Sequence, residues 1–313
     1  MVVRTGSRQI KLLPGSGLKF AFIAQTTLMR KYLFLLTAAF LASTCFAQVR
    51  VGVFAGIADY QGDLTEKIFQ NPRFAFGING AYQITSRINL RAGLSFAKVS
   101  GADSLSSQRD LQLRNLSFQT SITELSLIGE YDIFDMDLKP WSPYAFAGIA
   151  VYHFNPYTFD RSGNKIFLQP LSTEGQGLPG YPNKPYSLTQ LAIPFGGGIK
   201  YDISSTVRIA LEFGMRKLFT DYLDDVSGNY ADPNELFANK GQTAVDLSYR
   251  GDEVAGGNLN YPVKGFTRGS PKYKDYYYFT GIHLMFRLPE GGGGGMHYSP
   301  KGRNKRYGCP TNF

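Results

Sequence analysis

The chain has little cysteine, tryptophan, histidine or charge. Of its 313 residues two are Cys, one is Trp and three are His, and charged side chains make up 18%. Cys45 falls within the leader described below, so with the leader removed Cys309 is alone. That excludes a disulfide-stapled secreted domain. Beyond the leader no apolar run reaches 18 residues, which excludes a helical membrane span. The formal charge of +9 belongs to the two ends: 1–47 holds six basic residues and no acid, 289–313 holds four basic residues and one acid, and 48–288 is neutral. A basic stripe for phosphates is absent, so nucleic acid is not an expected partner. What is present in quantity is aromatic side chains, at 14%, and 35 glycines. This composition suits neither a disordered chain nor a coiled coil.

Met29-Arg30-Lys31, the apolar run from Tyr32 to Leu41 and the small residues up to Cys45-Phe46-Ala47 have the layout of a secretory signal peptide over 29–47. The mature chain is expected to begin at about Gln48, and 1–28 reads as an upstream extension with no part in the fold. Cys45 raises a lipoprotein alternative, for which Ala42 and Thr44 make a poor lipidation box.

The body repeats with period two, which indicates strands with one apolar and one polar face. Ile88, Leu90, Ala92, Leu94 and Phe96 alternate with Asn89, Arg91, Gly93 and Ser95; Val207, Ile209, Leu211, Phe213 and Met215 alternate with Arg208, Ala210, Glu212, Gly214 and Arg216. Similar stretches lie near 76–84, 191–202 and 276–288, and less regular ones at about 49–58, 116–133 and 143–154. Connections alternate long and short, with tight turns at Thr85-Ser86 and Ser204-Ser205 and a moderate one at 134–142. The expected fold is all-β: an eight-stranded antiparallel up-and-down transmembrane β-barrel over 48–288, placed in an outer membrane with long extracellular loops, short periplasmic turns and both termini periplasmic. Residues 289–313 read as a flexible Gly-rich basic tail in the periplasm. A soluble β-sandwich is the alternative, because alternation alone does not separate lipid from a protein core.

In an eight-stranded barrel the inward side chains meet, so Arg91, Glu124, Glu130, Lys200, Asp202, Arg208, Glu212, Arg216 and Arg287 are expected to form a charge network filling the lumen, which argues against a passive pore. Aromatic girdles are expected from Tyr131, Phe134, Trp141 and Tyr144 at the short turns, and from Tyr152, Phe154, Phe219, Tyr222 and Tyr276 at the long loops. No catalytic set or cofactor motif is evident among His153, His283 and His297; a small outer-membrane enzyme acting on lipid A is the enzymatic alternative, and a passive adhesion or structural barrel the other. Asp221, Asp224, Asp225 and Asp232 offer closely spaced oxygen ligands for Ca²⁺, yet the EF-hand spacing is not met, and such residues equally build a hydrogen-bonded loop.

The runs Gly56-Ile57-Ala58-Asp59-Tyr60-Gln61-Gly62-Asp63-Leu64, Glu212 to Gly228, and Arg268-Gly269 with Lys274-Asp275-Tyr276-Tyr277 resemble the PorG-like outer-membrane barrels associated with type IX secretion. The resemblance spans about 50–288. It implies a small barrel without enzymatic activity or small-molecule substrate, embedded in outer-membrane lipid and contacting periplasmic ring proteins of the PorK and PorN type. The one short-side turn large enough to offer a surface carries Asp135, Met136, Asp137, Lys139 and Trp141, the expected partner-binding residues. The basic extension after Leu288 departs from the pattern.

Overall fold

The computed structural model describes residues 49–65, 67–272 and 274–289. The leader, the upstream stretch, both cysteines, His297 and the tail from 290 onward lie outside the described residues. Ten strands form: β1 Val49–Gln61, β2 Arg73–Gln83, β3 Ile88–Ala102, β4 Ser117–Asp132, β5 Trp141–His153, β6 Tyr157–Phe159, β7 Lys165–Phe167, β8 Thr189–Asp202, β9 Val207–Leu218 and β10 Tyr276–Arg287. The short β6–β7 hairpin belongs to a loop, leaving eight strands in the wall. Each pairs antiparallel with its neighbour in sequence, β5 continuing to β8, and β10 closes on β1 from Arg50↔Arg287 to Gln61↔Tyr276. No edge is left unpaired, as hydrocarbon demands of a sheet that crosses it. Pro194, which has no N–H, interrupts the β5–β8 ladder between the pairs Ala147↔Phe195 and Ala150↔Ala192.

Burial follows parity along the strands and is inverted relative to a soluble protein. Val53, Ile78, Leu125, Ile149 and Leu211 point outward and are exposed, while Arg91, Glu124, Glu130, Lys200 and Glu212 point inward and are buried. An apolar belt encircling a charged interior has to face lipid. The β-sandwich alternative is thereby removed. On β5 the outward belt runs from Trp141 to Val151, which at about 3.3 Å per residue and a tilt near 40° gives roughly 25 Å, the height of a membrane barrel's apolar band. Among the described residues no helix is long and apolar enough to cross a membrane.

Above this belt the polarity reverses. On β4 the outward residues change from Leu125, Leu127 and Tyr131 to Thr123, Ser121 and Gln119, while the inward ones change from Glu130 and Glu124 to Ile122 and Phe118. Lys98, Thr123, His153, Thr189 and Lys217 form a polar outward collar at this level, with Thr123↔His153↔Thr189 directly paired. Beyond the collar the wall stands in water, and from about the collar's level upward its interior is an apolar core of Tyr60, Phe118, Tyr152, Phe154, Tyr277 and Phe279, continued by Leu223 and Val226 from the last long loop. Tyr144, Tyr152 and Phe154 are therefore not girdle residues. All three are buried on the lumen side, whereas Tyr131, Trp141 and Phe219 are exposed as a girdle requires.

Candidate functional site: the loop-end cap and its cleft

The lumen is closed by ion pairs that cross it. Arg91 contacts Glu130 and Glu212, each at 2.5 Å; Lys200 contacts Glu130 at 2.6 Å and Asp132 at 2.7 Å. Tyr144 donates to Glu212, Asn89 donates to Asp132, and His283 lies 3.4 Å from Glu212. Toward the loops Arg216 and Tyr277 both bond Glu124, and toward the short turns Arg208 bonds Asp202 at 2.6 Å. The void between Phe54, Asn79, Arg91, Glu212 and His283 is about 10 Å³, room for about one water molecule and not for a conduction path. Arg287 departs from the expected network. It keeps the inward register opposite Arg50 but, as the last residue of β10, is exposed at the mouth. Asp132, Asn89 and Arg50 are buried members that the sequence reading missed, though all lie on the polar faces of their strands.

His283 is thus occupied inside the barrel, bonded to Asn79 and Arg91. His153 stands outward on the collar with Nδ1 3.0 Å from Thr189 Oγ1, and among the described residues no carboxylate accepts a hydrogen bond from its ring. The two histidines do not combine into a catalytic set.

In the β4–β5 turn Asp135 accepts hydrogen bonds from the Ser86 hydroxyl at 2.9 Å and from the Asp137 N–H, which hold its carboxyl below the ordinary range. Lys139 sits over the Phe134 ring at 4.0 Å, and Phe134 meets Trp141 edge-on. Met136 is buried and does not belong to the offered surface. Leu138, absent from the sequence reading, is 82% exposed between Asp137 and Lys139.

At the opposite end the long loops fold into a cap. The loop after β3 carries α1, Arg109–Arg114, and the loop after β9 carries α2, Pro233–Lys240, and α3, Gln242–Ser248. Asp232 is the N-cap of α2: its carboxylate accepts the N–H groups of Asn234 at 2.9 Å and Glu235 at 3.2 Å, with Pro233 following it. Buried side chains then tie the loops to the strands. Tyr60 at the top of β1 donates to Asp224 at 2.6 Å and lies 3.1 Å from Asp275. Asp275 accepts the Leu223 N–H, Asp224 the Val226 N–H and Asp63 the Ser270 N–H, each at 2.9 Å. Gly62 is required here, since a Cβ would stand 2.0 Å from the Tyr60 oxygen and 2.1 Å from Asp275. Arg268 bonds Glu174 at 3.0 Å and the carbonyls of Asp225 and Ser248. Asp225 in turn accepts hydrogen bonds from Thr173 and Tyr186.

Burial, reinforced by neighbouring carboxylates, pushes Asp224 and Asp275 well above the ordinary carboxylate range. Burial also lifts Asp221 and Asp225 to about 6, against the opposing effects of Ser227 and Lys274 on the first and of Arg268 on the second. The candidate Ca²⁺ ligands have protein partners. Asp224, Asp225 and Asp232 are spent on protein donors, and among the described residues no three His, Cys, Asp or Glu side chains group as a metal site requires. Asp221 keeps one buried oxygen without a partner.

Over the clamp opens a cleft of about 760 Å³ between α1 and the 249–267 segment. Its wall is the mutually edge-on trio Tyr230, Tyr249 and Tyr261, with Phe266 exposed at the rim and Arg268 and Gly269 at the floor. Both guanidiniums are already occupied, Arg114 by Asp103 at 2.6 Å and by the carbonyls of Asp63 and Arg268, Arg268 by the partners above. Among the described residues the cleft has no free cation for an anion; it suits an apolar or aromatic group that is neutral or basic.

A family model described as a domain of unknown function, DUF6089, matches residues 29–167. No curated protein matches the chain. Among solved structures it is similar to Neisserial surface protein A (10% identity, 77% of this chain and 97% of that one, TM-score 0.39). It is also similar to OprG of Pseudomonas aeruginosa (8%, 79% and 99%, 0.37) and to Ail of Yersinia pestis (9%, 77% and 97%, 0.36).

Proposed function

We propose that the chain is an integral outer-membrane barrel that works by contact rather than by catalysis or conduction, and that it serves the type IX secretion machinery as an outer-membrane component touching periplasmic ring proteins of the PorK and PorN type. One observation carries the reading. The three runs that resemble PorG-like barrels, far apart in sequence, meet in one buried clamp: Tyr60 with Asp224 and Asp275, Asp63 with Ser270 beside Gly269, and Arg268 with Asp225. The resemblance therefore covers a unit that folds together and not scattered strand composition. The filled lumen supports contact over transport, and no small-molecule substrate enters the reading.

With both termini and the short turns in the periplasm, the surface offered to the ring is Asp137, Leu138 and Lys139, exposed on the β4–β5 turn, bordered by Trp141 of the girdle at the start of β5. The test is recovery of the tagged protein from native outer membranes in mild detergent. A ring lipoprotein of the PorK type and its PorN companion should accompany the wild type and be lost from Leu138→Glu, whose barrel still folds. Recovery of the wild-type barrel alone overturns the secretion reading.

A further inference from the structure

We propose that the tip of the first long loop, Lys67-Ile68-Phe69, is a membrane anchor that folds back below the polar collar and takes up the lipid at the boundary between acyl chains and headgroups. The inference rests on the membrane-spanning barrel and not on the secretion role.

The loop between β1 and β2 does not stand away from the wall. Phe69 packs against Phe213 of β9, ring centres 6.5 Å apart, and edge-on against Tyr278 of β10 at 6.1 Å. Both partners are outward residues of the wall. Phe213 lies four residues nearer the short turns than Lys217 of the collar, and Tyr278 pairs with Met215 in the β9–β10 ladder. Phe69 thus sits at the level of the apolar belt and is continuous with it. It and Ile68 are nevertheless half-exposed, at 48% and 47%. An exposed Phe-Ile pair extending a lipid-facing surface is covered by the same lipid that covers that surface. Lys67, exposed beside them, can reach up to headgroup phosphates on its flexible stem.

Two further features show the loop held in this place. Phe69 has φ +63°, a left-handed conformation that a bulky side chain adopts only when its surroundings impose it. Beneath the loop lies Asp59, which by parity points outward and is the only charged side chain on the outward face of the wall strands below the collar. It is 1% exposed, and it accepts hydrogen bonds from the backbone N–H groups of Tyr60 at 2.8 Å and Asn71 at 3.4 Å. The loop backbone satisfies a carboxylate that would otherwise face hydrocarbon, and the Ile68 and Phe69 side chains replace it with an apolar exterior. The next residue, Tyr60, points inward to Asp224 and Asp275. A lipid-held loop and the cap clamp are therefore joined by consecutive residues of β1.

The test uses single-tryptophan variants of the whole barrel in phosphatidylcholine vesicles, with the one native tryptophan removed by Trp141→Phe. Phe69→Trp and, separately, Ile68→Trp report the loop tip; Ile149→Trp on the belt and Phe266→Trp at the cleft rim are the two references. Brominated acyl chains should quench the loop-tip tryptophan as they quench Ile149→Trp, its emission should be blue-shifted relative to Phe266→Trp, and aqueous iodide should quench only the latter. If both loop-tip variants follow Phe266→Trp while Ile149→Trp is quenched by lipid, the anchor is overturned and the barrel stands. If Ile149→Trp also escapes lipid quenching, the membrane-spanning reading fails and the anchor with it.

Discussion

Replacing Arg268 by Met should open the cap without unfolding the barrel. The Arg268 and Glu174 side chains are 2% and 1% exposed and 3.0 Å apart, so the substitution leaves a carboxylate buried without its counter-ion. Breaking one partner of a buried pair costs about 3–5 kcal/mol. Burial by itself would lower the Arg268 pKa, but Glu174 and Asp225 outweigh it and raise it, so the charge being removed is firmly held. Glu174 would still accept the N–H groups of Ser227 at 2.9 Å and Gly228 at 3.0 Å and the Tyr222 hydroxyl at 3.2 Å. This argues for the low end, about 3 kcal/mol, or roughly a hundred-fold rise in the opened cap. The assay is tryptic cleavage of the folded protein at the cap sites Lys240 and Arg250, under conditions where cleavage follows the opened population. The rate should rise by about that factor while the unheated barrel keeps its compact gel mobility. The double variant with Glu174→Gln, which removes the stranded charge, should recover part of the loss. Equal cleavage rates in wild type and Arg268→Met would refute the view that this pair holds the cap.

The cap should also loosen as pH rises through the weakly acidic range. Asp221 and Asp225 titrate at about 6 in the closed cap against an ordinary 3.8, so the closed state binds more protons between these values. That contribution, at most roughly 3 kcal/mol for each group, is fully present below about pH 4 and lost by about pH 6. Cap cleavage by a pH-tolerant protease should therefore accelerate from pH 4 to 6, and Asp221→Asn should flatten part of that slope; an unchanged profile would remove Asp221 from the account. In the lumen, Lys200→Met strands Glu130 and Asp132, which lie 2.6 and 2.7 Å from the ammonium. A loss of about 3–5 kcal/mol is expected, read as a lower temperature for conversion to the unfolded gel band.

The barrel was legible because lipid and a filled lumen impose opposite polarities on the two faces of every strand, and a two-residue period records that directly. The same reasoning explains where the reading blurred. On β4 the outward face is polar at Ser121 and Thr123 and apolar from Leu125 to Tyr131, so a pattern judged over the whole strand averages two opposite phases. The misplaced girdle residues have the same origin. Tyr152 and Phe154 lie near a strand end, where aromatics are expected at an interface, but their parity turns them inward to stack on each other at the level of the collar. Parity should have outranked position for these two. Met136 and Leu138 stand two residues apart in the same turn, one buried and the other 82% exposed, a difference that position in a turn does not signal.

The cap was legible only in its components. Asp232-Pro233-Asn234-Glu235 carries a cap, a helix-starting proline and an acidic first turn, enough to signal α2. The acidic run from Asp221 to Asp225 was not decidable in the same way, because a carboxylate that accepts backbone N–H groups and one that binds a cation need the same residue at the same spacing. What separates them is donors supplied from elsewhere in the chain: Tyr60, 164 residues from Asp224, and Thr173, 52 residues from Asp225. Those contacts exist only once the barrel has closed and brought the top of β1 beside the loop after β9. Every pairing in the wall except the β1–β10 closure joins strands that follow one another along the wall, whereas the cap depends on that closure having been made. A substitution in the clamp should then act on the loops and leave the strands intact, which is the separation the Arg268→Met experiment measures.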